Sequence, residues 1–94
     1  MKMKTKVCKH LINLDSGTLK THERFECAEC IKTGDSWVHL RTCQECGITL
    51  CCDSSPNKHA SNHYQTHLTH HVVTSAEPNE RWAWCYTHRS FVQY

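Results

Sequence analysis

The feature that most narrows what this chain can become is the spacing of its cysteines and histidines. Two C-x-x-C pairs, Cys27/Cys30 and Cys43/Cys46, are preceded by Cys8-x-His10. They are followed by Cys51, by His59, His63, His67, His70 and His71, and by Cys85-x-x-His88. Thiols grouped two residues apart and mixed with imidazoles read as metal ligands more readily than as a disulfide framework. The chain also needs a crosslink. At 94 residues folding buries only about 60% of the surface the unfolded chain exposes, and a hydrophobic fraction of 38% is low for a fold held by its core alone.

Structural zinc takes four N or S ligands in a tetrahedron. The candidates are Cys8, His10, Cys27, Cys30, Cys43, Cys46, Cys51, His59, His63, His70, Cys85 and His88, twelve residues for three closed sites, so three Zn(2+) per chain are expected. Cys52, His22, His39, His67 and His71 are left over. A lone C-x-H or C-x-x-H carries little weight, but Cys8/His10 and Cys85/His88 each supply half of what the other lacks.

Charge and hydropathy exclude several classes. The formal charge is +2, or +1 once seven thiolates and three zinc ions are counted (2 − 7 + 6), and the pI is 8.1. Nucleic-acid modules carry a clustered basic stripe and a pI above about 9, so no nucleic-acid partner is expected. The lysine-rich residues 1–7 read as a solvated tail, with the domain proper over 8–94. The apolar run Leu11-Ile12-Asn13-Leu14 is too short for a signal-peptide core, and no run approaches the roughly 20 residues that span a bilayer. A reducing cytoplasm, no membrane and a monomer are therefore expected.

Coarse patterning gives an α+β class. Ser36–Arg41, Gly47–Cys51, Val72–Thr74 and Arg81–Tyr86 read as four strands of one antiparallel sheet. Ser54-Ser55 is an N-cap candidate and Pro56 suits a first turn, which predicts a helix from about Pro56 to His67. His59, His63 and His67 recur along it every four residues and share a face. Trp37 and Trp82 are expected in the core.

The order C-x-H, C-x-x-C, C-x-x-C, C, H-x3-H, H, W-C resembles the UBP-type zinc finger over Cys8 to about Phe91. The stretches Gly34–Arg41, Cys51–Asn57 and Glu77-Pro78 resemble small free-standing bacterial members. The resemblance implies a twisted antiparallel sheet with one main helix packed on it, and an interleaved three-zinc topology. It assigns Cys8, His10, Cys85 and His88 to one site, Cys27, Cys30, Cys51 and His59 to a second, and Cys43, Cys46, His63 and His70 to a third. His63 and His70 stand one residue farther apart than the family spacing, which leaves His67 and His71 open as alternatives. His88 stands where family members carry Cys or Asp.

Eukaryotic members bind the free Gly-Gly tail of ubiquitin between aromatics and an arginine. Trp84 and Tyr86 match the aromatic positions, although the same residues could simply pack a small core. Asp53 replaces the carboxylate-binding arginine, and Arg41 stands where the family carries a tryptophan two residues before the second C-x-x-C. The resemblance thus implies a protein or peptide partner read by Trp84, Tyr86 and Arg41, with ubiquitin itself not expected because Asp53 repels a carboxylate. The alternative is a structural or redox-associated accessory zinc protein. An enzyme is not expected: twelve ligands leave no open coordination position, and Cys52 near His39 reads as a packing residue before it reads as a nucleophile.

Overall fold

A computed structural model describes residues 8–12, 14, 17, 19–21 and 24–94. The anticipated basic tail, 1–7, and His22 lie outside the described residues.

Among the described residues five short strands form one antiparallel sheet in the order β2-β1-β3-β4-β5. They are β1 Leu40–Cys43, β2 Thr49–Cys51, β3 Val72–Ser75, β4 Trp82–Cys85 and β5 Ser90–Gln93. The β-branched run Val72-Val73-Thr74 suits a half-buried pleated surface and occupies the central strand. The second C-x-x-C pair makes the β1–β2 turn. Gly47, at φ 81, lets the chain reverse with its N–H on the Cys43 carbonyl at 2.8 Å, a backbone region that costs a residue with a Cβ.

Partners in register point to the same face. Thr49, Thr42 and Thr74 lie side by side across β2, β1 and β3 and are all buried. The Thr42 and Thr49 hydroxyls bond to each other at 3.0 Å, and Gln44 Nε2 donates to Thr74 Oγ1 at 2.9 Å. The same Gln44 amide clasps the backbone of Lys20 from both sides. The opposite face carries Arg41, Val73, Trp82, Trp84 and Phe91.

Among the described residues three helices accompany the sheet: α1 Lys9–Ile12, α2 Cys30–Thr33 and α3 His59–Thr66. Leu11 of α1 is buried against Val72, Ala83 and Cys85. Ala60 of α3 joins a second cluster with Leu40, Leu50, Cys27, Cys30 and Cys51, against which Trp37 packs as expected. No helix among the described residues is long and apolar enough to cross a membrane.

The sequence reading differs from this fold in four places. The first strand runs Leu40–Cys43 and not Ser36–Arg41, because the Val38 N–H is taken by the Ser55 hydroxyl at 2.8 Å. Ser55 is thereby buried and caps nothing; α3 starts three residues after Pro56, behind Lys58 in a left-handed conformation at φ 49. Strand β5 and the single-turn helices α1 and α2 were not anticipated. Trp82 is half-buried with the Arg41 guanidinium 4.5 Å from its ring centroid, and so forms surface wall where core was expected.

Candidate metal centres and the adjoining pocket

The topology gathers cysteine and histidine into three quartets whose donor atoms all lie within 4.8 Å of one another. In the first, Cys8 and His10 at the α1 turn meet Cys85 at the end of β4 and His88 in the β4–β5 turn. In the second, Cys27 and Cys30 at the start of α2 meet Cys51 at the end of β2 and His59 at the start of α3. In the third, Cys43 and Cys46 of the β1–β2 turn meet His63, one turn along α3, and His70 ahead of β3. Because His59 and His63 are one turn apart, the helix serves two neighbouring quartets.

The distances test whether zinc fits. With Zn–S about 2.3 Å and Zn–N about 2.05 Å, a tetrahedron has S–N edges of about 3.5 Å, S–S edges of about 3.8 Å and N–N edges of about 3.3 Å. His59 Nδ1 stands 3.4, 3.4 and 3.5 Å from the sulfurs of Cys27, Cys30 and Cys51. The Cys30 and Cys51 sulfurs are 3.9 Å apart. In the third quartet the S–N edges are 3.5 Å for Cys43–His70 and for Cys46–His63, and the N–N edge is 3.2 Å. In the first, Cys85 Sγ lies 3.3 Å from His10 Nδ1 and 3.7 Å from His88 Nδ1. These distances fit the edges of zinc tetrahedra.

Electrostatics agree with a cation at each centre. Burial pushes the Cys30 thiol up to about 12, and the neighbouring Cys27 adds to the shift. Burial likewise raises the thiols of Cys43, Cys51 and Cys85. Ionising several buried thiols side by side is prohibitive without a positive charge among them. The second quartet is also braced from outside: the N–H of His59 donates to Cys51 Sγ at 3.2 Å and that of Cys30 to Cys27 Sγ at 3.4 Å.

Beside these centres, on the sheet face bearing Arg41, lies a cavity of about 440 Å³ lined by Arg41, Asp53, Trp82, Trp84, Tyr86 and Phe91. Trp84 and Tyr86 flank Cys85, so the first quartet fixes their position. Tyr86 stacks on Tyr64 of α3 with ring centroids 4.9 Å apart. Burial pushes its phenol up to about 12, with the Asp53 carboxylate adding to the rise and a bond from Ser61 opposing it. The Ser61 hydroxyl hydrogen is given to Asp53 Oδ1.

A family model described as "Zn-finger in ubiquitin-hydrolases and other protein" matches residues 27–94. The chain belongs to this UBP-type zinc-finger family. Among solved structures, the finger is similar to the solution NMR structure of protein RPA1320 from Rhodopseudomonas palustris, with 36% identity and a TM-score of 0.76, over 99% of this chain and 84% of that one. No curated protein matches it.

Among the described residues of this UBP finger, His39, His67 and His71 stand outside the quartets. His67 stacks on His63 at 4.5 Å between ring centroids, with its Nδ1 engaged by the Thr66 hydroxyl and the His63 carbonyl. His71 stacks on His10 at 3.8 Å, with its Nδ1 on Thr87 Oγ1 at 2.6 Å. Both shape the centres from the side while His70 completes the third quartet. Cys52 is buried, 3.7 Å from Ser55 Oγ, and takes its place in the pocket wall. The residues that sequence reasoning missed at the pocket are Trp82 and Phe91. The alternation Trp82-Ala83-Trp84 placed both tryptophans on one face, a signal available in the sequence.

Proposed function

We propose that this zinc finger is a non-enzymatic recognition module that holds three zinc ions and binds the C-terminal tail of a partner protein in the Arg41/Trp84/Tyr86 pocket. The observation that carries the reading is that these three side chains line one open concavity. An accessory role without a ligand would have them buried, and Trp84 and Tyr86 are only half-buried. Trp84 offers a flat face for small residues, Tyr86 a hydroxyl for the tail backbone, and Arg41 a guanidinium for the terminal carboxylate. Each of the three quartets has four N or S donors, which leaves no coordination position for activated water. A cytoplasmic compartment and a monomer are part of this proposal, the first in keeping with a thiolate-rich composition.

Asp53 sets this finger apart from ubiquitin recognition. An unpaired carboxylate brought against it costs several kcal/mol, and ubiquitin ends in two residues that offer Asp53 no compensating charge. Calorimetry with ubiquitin should give weak or no binding to the unmodified protein and improved binding to Asp53→Arg. Tight binding of ubiquitin by the unmodified protein would overturn the reading.

A further inference from the structure

The pocket carries one charge of each sign, and neither forms an ion pair within the described residues, the carboxylate near Arg41 being that of Glu80, which accepts from Nε1 of the Trp82 ring under the guanidinium at 3.3 Å. Arg41 has no ion-pair partner there, nor does Asp53, and the two do not pair with each other. The Arg41 guanidinium is held in place by its stack on Trp82 and by Nη1 donating to the Leu40 carbonyl at 2.9 Å. Asp53 is held by Ser61 on Oδ1, and no described donor reaches Oδ2. Two fixed, unpaired, opposite charges on the wall of one aromatic-lined cavity describe the complement of a ligand that is itself a dipole.

We infer that the pocket selects protein tails with a lysine or arginine at the last or next-to-last position, Arg41 taking the terminal carboxylate and Asp53 the basic side chain. This deepens, and rests on, the tail-binding reading above. The aromatic wall suits such a residue. Its aliphatic stem packs against Trp84 and Phe91, and its charged head reaches a π face before meeting the carboxylate. A neutral tail leaves Asp53 Oδ2 without a partner and an acidic one adds repulsion, so a basic residue is favoured over both. The cavity of about 440 Å³ falls within the range of small-ligand sites, about 300–1,000 Å³, enough for the last residues of a chain and no more.

The test uses the zinc-loaded full chain and synthetic hexapeptides that differ at one position. Lysine is placed last or next-to-last, norleucine replaces it as the neutral counterpart, and each peptide is made as free acid and as amide. By calorimetry the better lysine free acid should bind at least about tenfold tighter than its norleucine counterpart, and amidation should weaken it. In Asp53→Asn protein with its zinc content unchanged by native mass spectrometry, the preference for lysine should vanish while norleucine binding holds. Equal binding of lysine and norleucine acids, both weakened by amidation, would leave tail recognition standing and refute the basic-residue inference. A lysine preference that survives Asp53→Asn would refute it too, by placing the cation elsewhere. No binding by any free acid would remove the tail-binding reading itself, and the inference with it.

Discussion

Replacing Cys8 with serine opens the first quartet at its half-buried end and leaves the buried Cys85 untouched. That quartet ties together the most distant segments, with His10 and Cys85 separated by 75 positions, against 27 for Cys43 and His70 in the third. If the metal clip is treated as a crosslink on the unfolded chain, closing a 75-residue loop contributes about 4.5 kcal/mol and a 27-residue loop about 3.5 kcal/mol. Cys8→Ser protein should therefore lose about 3–5 kcal/mol, a large share of the roughly 5–15 kcal/mol typical of a domain. The loss should be local in its first effect. Apolar contact would then hold α1 to β4 chiefly through Leu11 and its neighbour Leu14, the Leu11 burial being worth about 1.5–3 kcal/mol, so amides of Lys9–Ile12 should exchange fast while those of β1 and β3 stay protected. Urea titration, hydrogen exchange and native mass spectrometry under mild chelation read these outcomes, with two zinc ions per chain expected. Leu11→Ala is the control: it should loosen α1 while three ions are retained. A Cys8→Ser protein that has lost one ion yet less than about 1 kcal/mol of stability would refute the crosslink argument.

Three further outcomes are expected. Native mass spectrometry of the unmodified protein should show three zinc ions and no disulfides, and a strong chelator should abolish its cooperative fold because metal binding is part of folding in so small a domain; dispersed NMR shifts in metal-free protein would contradict this. Gly47→Ala should cost about 1–2 kcal/mol in thermal melts from the left-handed backbone at φ 81, since the added Cβ would meet only the Lys20 side chain, at 3.5 Å; a loss near zero would show that the β1–β2 turn relaxes. Tyr64→Ala, which removes the stack beneath Tyr86, should weaken tail binding severalfold with three ions retained, and unchanged affinity would show that Tyr86 needs no support from α3.

How much of this could be read from the sequence depends on the range of the interaction concerned. The twelve residues that spacing and family likeness singled out are the twelve the structure gathers, because ligand chemistry imposes short-range patterns such as C-x-x-C that survive in one dimension. Helix α3 and the strands around Val73 and Trp84 were legible for a similar reason, each carrying a run with its own period. The first strand was placed too early because Trp37-Val38 looks like strand in isolation, and only the distant Ser55 hydroxyl removes its N–H from the ladder. Helices of one turn have no period to detect, and β5 alternates half-buried with exposed residues at the sheet edge, a pattern too faint to stand out. Trp82 reads as core on hydrophobicity alone, since the guanidinium covering it comes from a strand 41 positions earlier.

The same chemistry that binds metal frees the aromatics for the pocket. Among the described residues, Cys27, Cys30, Cys43, Cys51, Cys52 and Cys85 make up six of the thirteen buried apolar residues, and the largest fully buried side chain is Leu40. A domain of this size with a conventional core would enclose its tryptophans, which are its largest source of apolar area. Here sulfur and metal do that work: the quartets connect α1, α2, α3 and the strands at points where a conventional fold would need an aromatic plug. Trp82, Trp84 and Phe91 can then remain partly solvated on one sheet face without loss of the fold, and the face they leave open is the one that carries Arg41 and faces Asp53. The proposed recognition at that face would be coupled to metal at the first quartet through Cys85, which is a donor of that quartet and the residue between Trp84 and Tyr86. Loss of zinc from that quartet should therefore abolish tail binding before it unfolds the sheet.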